Sequence, residues 1–220
     1  LTSVALDWAS YLHALYGLNI TPWNPSLAFG LVFWLRFGRL TAIPWLTALI
    51  LGELLIRGLP ASFLTTLIYS IILVIGYGFT AETVRRLVEA ESALSSQHLF
   101  LRWLAAVFFG TLLTSSLFIA SLVVMDLIPA GGWKTALMRF WIGDFVGVFV
   151  TTPFFWLLLV HLGRFKRTLL RLETVGYLSV ATFTLWVAFG LGGSGEFQYF
   201  YLLFIPLVWA AARHGIAGAA

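Results

Sequence analysis

The sequence predicts an all-α, polytopic transmembrane bundle of about eight spans with both termini cytoplasmic. Three observations carry that prediction: composition, the length of the apolar runs and the distribution of basic residues. Of 220 residues, 60% are hydrophobic and 10% charged, against roughly 25% charged in an average soluble domain. Mean hydropathy is +0.96. A soluble core of this size cannot hide that much apolar surface, whereas lipid demands it. Twenty glycines and seven prolines lie in or beside the apolar runs, as membrane helices tolerate. The alternating pattern of a membrane barrel is absent from the sequence.

A helix needs about 20 apolar residues to cross a hydrocarbon layer of about 30 Å. Eight segments approach that length: Val4 to Leu18, Pro25 to Phe37, Thr41 to Ile56, Ser62 to Val84, Phe100 to Leu127, Leu137 to Leu162, Thr174 to Leu191 and Phe197 to Ala212. Leu1 to Asn19 lacks the basic start and small-residue cleavage site of a signal peptide, so the first segment reads as a true span. The second and third are short and joined by Gly38, Arg39 and Leu40, which predicts a tight helical hairpin. Glu89 to His98 reads as a solvated cytoplasmic turn. The whole of 1–220 reads as one integral-membrane domain.

Charge then orients the spans. With the N-terminus inside, ten of the thirteen basic residues are cytoplasmic, including Arg36, Arg39, Arg85, Arg86, Arg102 and the run from Arg164 to Arg171. Arg57, Lys134 and Arg139 are left outside, with the turn Gly192 to Glu196. Fusing the second and third segments would bury Arg36 and Arg39 at mid-membrane, at several kcal/mol by order of magnitude. The same segregation explains the net charge of +4 without a nucleic-acid partner. With no cysteine, disulfide and thiolate chemistry are excluded.

Ionisable residues inside spans are candidate functional groups. Asp144 is the most pointed, one turn in from Trp141. Gly143 and Gly147 form a GxxxG pair around it, and Thr151 extends the small-residue stripe, inviting close approach of another helix. Pro153 removes an amide and frees the carbonyl of Phe149, giving a kink or a polar spot. Asp144 therefore reads either as helix glue or as a sensor of protons or ligand, with Arg57, Arg139, Ser115, Ser116 or a bound ligand as its partner. Glu53 with Arg57, and Glu82 with Arg86, have the spacing of ordinary surface ion pairs. Asp126 reads as a helix end near water.

His13 and His161, both in spans, are the candidate axial ligands should a haem be bound. No H-E-x-x-H pair or other close metal-ligand spacing occurs, and Ser194 has no sequence-linked base. Nothing in the sequence activates a nucleophile or cradles a phosphate, so no enzyme activity is expected of this region.

Four blocks, in order, resemble the first family of bacterial membrane-associated sensor domains (the MASE group). They are Trp141-Ile142-Gly143-Asp144-Phe145-Val146-Gly147 with Pro153; Thr21-Pro22-Trp23-Asn24-Pro25-Ser26 with Arg36, Gly38 and Arg39; Gly78-Phe79-Thr80-Ala81-Glu82 before Arg85-Arg86; and Tyr201 to Ala211 running into Arg213 and Gly215. At Phe79 the sequence departs from the family's usual Asn, so Gly78 and Glu82 alone carry over from that block. The resemblance implies a sensory domain N-terminal to a diguanylate cyclase, phosphodiesterase or histidine kinase, in the bacterial inner membrane and acting as a homodimer. Two other readings remain open: a transporter or channel component using Asp144 and Glu53, and a haem-binding redox protein.

Overall fold

The computed structural model describes residues 2–11, 15–21, 24–87 and 97–160, with isolated helical positions at 176, 179 and 183. The chain divides into two compact units, Leu1–Phe155 and Trp156–Ala220, and the first carries everything described below. Among the described residues the regular structure is helical, with no strand. The elements are α1 (Thr2–Ser10), α2 (Pro25–Phe37), a 3-10 turn (Gly38–Thr41), α3 (Ala42–Arg57), α4 (Phe63–Leu87), α5 (Gln97–Val124), a second 3-10 turn (Ala130–Gly132) and α6 (Trp133–Val160).

Local chemistry sets these boundaries. Pro25 opens α2, where its missing amide costs no hydrogen bond. Gly38, at φ 73°, ends it. Gly58 closes α3 in the left-handed conformation, its amide bonded to the Glu53 carbonyl. Ser62 caps α4 by accepting the Thr65 amide at 3.2 Å.

Among the described residues, three helical stretches are long and apolar enough to cross a membrane: Pro25–Arg57, Phe63–Leu87 and Gln97–Val124. The first is folded back on itself. Gly30 and Trp45 would lie about 22 Å apart along a straight helix, yet the Trp45 indole sits directly over Gly30. The chain therefore reverses at Gly38, as its short Gly-Arg-Leu link predicts. α4 and α5 are antiparallel, because Gly76 faces Thr114 and Gly110 faces Thr80. α5 and α6 are antiparallel as well: Phe108 meets Phe145 at 5.6 Å, and Trp103 meets Phe149 at 5.7 Å.

The first predicted segment, Val4 to Leu18, is helical over less of its length: α1 ends at Ser10. The chain is already turning by Leu15, with Tyr16 and Gly17 at positive φ and the Leu15 amide bonded to the Ile20 carbonyl at 3.1 Å. The Tyr11 hydroxyl closes the turn on Gly17. α6 runs unbroken through Pro153. The eighth predicted span, the seventh apart from positions 176, 179 and 183, the Arg164 to Arg171 run and most of the turn at Glu89 to His98 lie outside the described residues.

The interior mixes large apolar residues such as Leu27, Leu31, Tyr69 and Phe140 with the hydroxyl residues Thr66, Ser70, Thr80, Thr111, Thr114 and Ser115, while Ile43 is 76% and Phe109 66% exposed. Large apolar side chains on the outside suit lipid as the surrounding solvent. Part of the polar set is satisfied locally: Thr80, Thr114 and the half-buried Ser116 each donate to a carbonyl four residues back, at 2.8–3.0 Å.

Where α4 and α5 cross, a Cβ on Gly76 would lie 2.5 Å from the Thr114 Cγ2 methyl carbon. Gly76→Val should therefore cost about 1–3 kcal/mol by overpacking, read as a lower melting temperature in detergent. Gly131→Ala, where a Cβ meets nothing within 4 Å, should leave it unchanged.

Candidate functional site

Asp144 lies on α6 at 1% exposure. The Tyr77 hydroxyl, from α4, donates to its Oδ2. The side-chain amide of Asn24, just before α2, reaches the same carboxylate. Ser115 of α5 approaches the Tyr77 hydroxyl, its own oxygen lacking a hydrogen bond of ordinary geometry. One carboxylate thus joins α6, α4 and the entry to α2.

The glycines beside it serve that junction differently from expectation. Instead of admitting a second helix, Gly147 admits the chain that leads into α2: a Cβ there would lie 2.5 Å from the Asn24 carbonyl oxygen. The Asn24 amide in turn donates to the Gly143 carbonyl at 3.3 Å. Thr151 bonds back to the Gly147 carbonyl. Trp141 packs edge-on against Phe108 at 5.0 Å, with its indole nitrogen buried and unpartnered.

Of the partners expected for Asp144, only Ser115 is nearby, and through Tyr77. Arg57 is engaged elsewhere, Arg139 is exposed and Ser116 bonds to Leu112. Tyr77 and Asn24 were not singled out by sequence reasoning, yet a signal for Tyr77 exists. Thr66, Ser70, Leu73, Tyr77, Thr80 and Val84 repeat at four-three spacing and are all buried. Polar residues recurring on one stripe of an apolar helix mark its protein-facing side.

A second ionic cluster corrects the reading of Glu53 and Arg57 as a surface pair. Arg57 bonds Asp7 at 2.6 Å and Glu53 at 3.2 Å, and Asp7 and Glu53 are only 5% and 6% exposed. The Tyr11 ring stands 5.0 Å from the guanidinium. Gly52 makes room for Asp7, whose carboxylate would lie 2.5 Å from a Cβ there. This clamp ties α1 to α3. The third cluster, Glu82 with Arg39, Arg85 and Arg86 at 3.5, 3.2 and 3.9 Å, is at the opposite end of α3 and α4 and is exposed on its arginine side.

His13, His161 and Trp23 lie outside the described residues. Among the described residues, no group of three His, Cys, Asp or Glu side chains could hold a metal ion. The Asp144 site gathers hydrogen-bonding groups from four segments: its carboxylate from α6, Tyr77 from α4, Ser115 from α5 and Asn24 from the entry to α2.

Two outcomes follow. Tyr77→Phe should destabilise the protein by about 0.6–2 kcal/mol, and a thermal double-mutant cycle with Asp144→Asn should be non-additive by at least about 0.5 kcal/mol. Arg57→Met, which strands two buried carboxylates, should cost about 3–5 kcal/mol and exceed the effect of Asp7→Asn in the same melting assay.

The motifs that resembled a known family meet in this geometry: Asn24 touches Gly143, Gly147 and Asp144, Gly78 lies under the Trp34 ring, and Glu82 pairs with Arg39. No curated protein and no solved structure matches the chain. A family model for MASE1, the membrane-associated sensor 1 domain, matches residues 1–220. With the match spanning the full length, the chain belongs to the MASE1 family of membrane sensory domains.

Proposed function

We propose that this domain is the sensory input module of a longer bacterial signalling protein, with Asp144 as its switch. The observation that carries the proposal is the contrast between the two buried acidic sites. Asp7 and Glu53 share the guanidinium of Arg57, and its loss would loosen the fold. Asp144 forms no ion pair among the described residues, and the groups that reach it, Tyr77 and Asn24, are neutral. A carboxylate held by neutral donors responds most strongly to a proton or a cationic ligand, because nothing nearby offsets the change in charge. Gly143, Gly147, Trp141 and Pro153 shape its helix, and Glu53 and Glu82 anchor the two ends of the bundle.

In this reading the domain crosses the inner membrane several times, with eight helical segments in all and both termini in the cytoplasm. It controls a C-terminal diguanylate cyclase, phosphodiesterase or histidine kinase, and so belongs to cyclic di-GMP or two-component signalling. A homodimer lets a change in helix geometry reach paired outputs. A stimulus that binds one state better by about 1–3 kcal/mol is enough to shift the balance.

Topology is open to a direct check, since the chain has no cysteine. Gly131→Cys, in the turn before α6, should react with an impermeant thiol reagent on intact spheroplasts. Leu40→Cys, 87% exposed beside Arg39, should react only after the cells are broken, and the reverse pattern rejects the orientation.

Function is tested by Asp144→Asn in the full-length protein, which keeps size and hydrogen bonding but removes the charge. The substitution is expected to fix the output in one state while expression and insertion stay near normal. A wild-type dose response in that variant assigns Asp144 to packing alone.

A further inference from the structure

The end of the bundle around Glu82 is basic. Arg39, Arg85 and Arg86 converge on the single carboxylate of Glu82, leaving two positive charges in surplus. Glu82 is itself largely buried, while the arginines are exposed, so it fixes their positions without covering them. Below this cluster two clefts flank one ridge on α4, formed by Phe79, Thr83 and Leu87. One cleft, about 510 Å³, runs beside Trp34 and Ile75 and has Arg39 and Arg86 on its wall. The other, about 380 Å³, runs beside Ala105 and Phe109 and has Arg102 on its wall. Apart from these arginines and Glu82, the lining is mainly apolar.

We propose that this end of the domain binds one anionic diacyl phospholipid, its phosphate at Arg39 and Arg86 and one acyl chain in each cleft. The two clefts share a ridge, as two chains share a glycerol. The surplus charge selects an acidic headgroup over a zwitterionic one, whose ammonium would face the arginines. Basic pockets between helices at a membrane surface are suited to such headgroups. Free phosphate would leave both apolar clefts unfilled.

The test uses the full-length protein reconstituted in nanodiscs of phosphatidylcholine with a minority of phosphatidylglycerol, then released into mild detergent for native mass spectrometry of the retained lipid. The wild type should keep phosphatidylglycerol in preference. An arginine near an anionic headgroup contributes about fivefold in affinity, so Arg39→Gln with Arg86→Gln should lower the preference by about 25-fold. Lys134→Gln with Arg139→Gln makes the same charge change at the other end and should keep it. Thr83→Trp leaves every charge in place but sets an indole on the ridge that the clefts share, so it should also lose the lipid, and it carries the test if the arginine variant fails to accumulate. No preference in the wild type, wild-type retention in the Arg39/Arg86 or Thr83 variants, or equal loss in the Lys134/Arg139 control would overturn the proposal.

Discussion

A hydrocarbon layer offers no water to a buried polar group, and that constraint shapes the junction around which the helices pack. A carboxylate buried there depends on partners within the protein. Asp144 is the most demanding case. Its carboxylate takes the Tyr77 hydroxyl and the Asn24 amide, so α4, α6 and the entry to α2 must converge at one point. For Asn24 to come that close, position 147 has to lack a side chain. For α4 to pack against α5, positions 76 and 110 must be small as well, because threonine side chains fill the space opposite. The glycines follow from the polar contacts as much as from helix packing.

The same constraint explains why the two acidic sites differ. Asp7 and Glu53 share Arg57, with Tyr11 beside the guanidinium. Such a site is a fastener: it draws an otherwise short N-terminal helix onto α3, and opening it strands charge in apolar surroundings. Asp144, among the described residues, has dipoles around it and no cation. Fixed dipoles hold a carboxylate in place without cancelling its charge, so its energy stays sensitive to what arrives. Stability and responsiveness are thus assigned to different carboxylates of the same bundle.

Much of this was legible in the sequence, and the parts that were not have identifiable causes. Composition and run length disclosed the helical membrane class. The Gly38-Arg39-Leu40 link disclosed the reversal between α2 and α3, because two arginines could not be left at mid-membrane. Asp144 and its glycines stood out as polar and small residues in an apolar run. Tyr77 did not, since a tyrosine in an apolar segment resembles any interfacial aromatic until its four-three stripe is followed from Thr66 to Val84. Glu53 and Arg57 were misjudged because i,i+4 spacing reports adjacency on a helix and says nothing about what covers the pair. Here the cover is α1 with Asp7, 50 residues away along the chain. The first helix was carried past Ser10 because hydropathy does not register the positive φ of Tyr16 and Gly17.

Between Asp144 and the basic end of the bundle lies an unbroken aromatic contact path. The Tyr77 ring meets Trp45 at 6.4 Å, and Trp45 meets Trp34 at the same separation. Trp34 fills the space over Gly78, and Glu82, one turn further along α4, holds Arg39 at the α2–α3 reversal. Both indole nitrogens are buried and unpartnered, so these rings are held by shape, with no hydrogen bond to fix their rotation. Each indole also borders a cleft, Trp45 the one lined by Gly30 and Pro44 and Trp34 the one lined by Arg39 and Arg86. The path is therefore a continuous side-chain connection between the Asp144 junction and the Glu82 cluster, with open space beside both indoles.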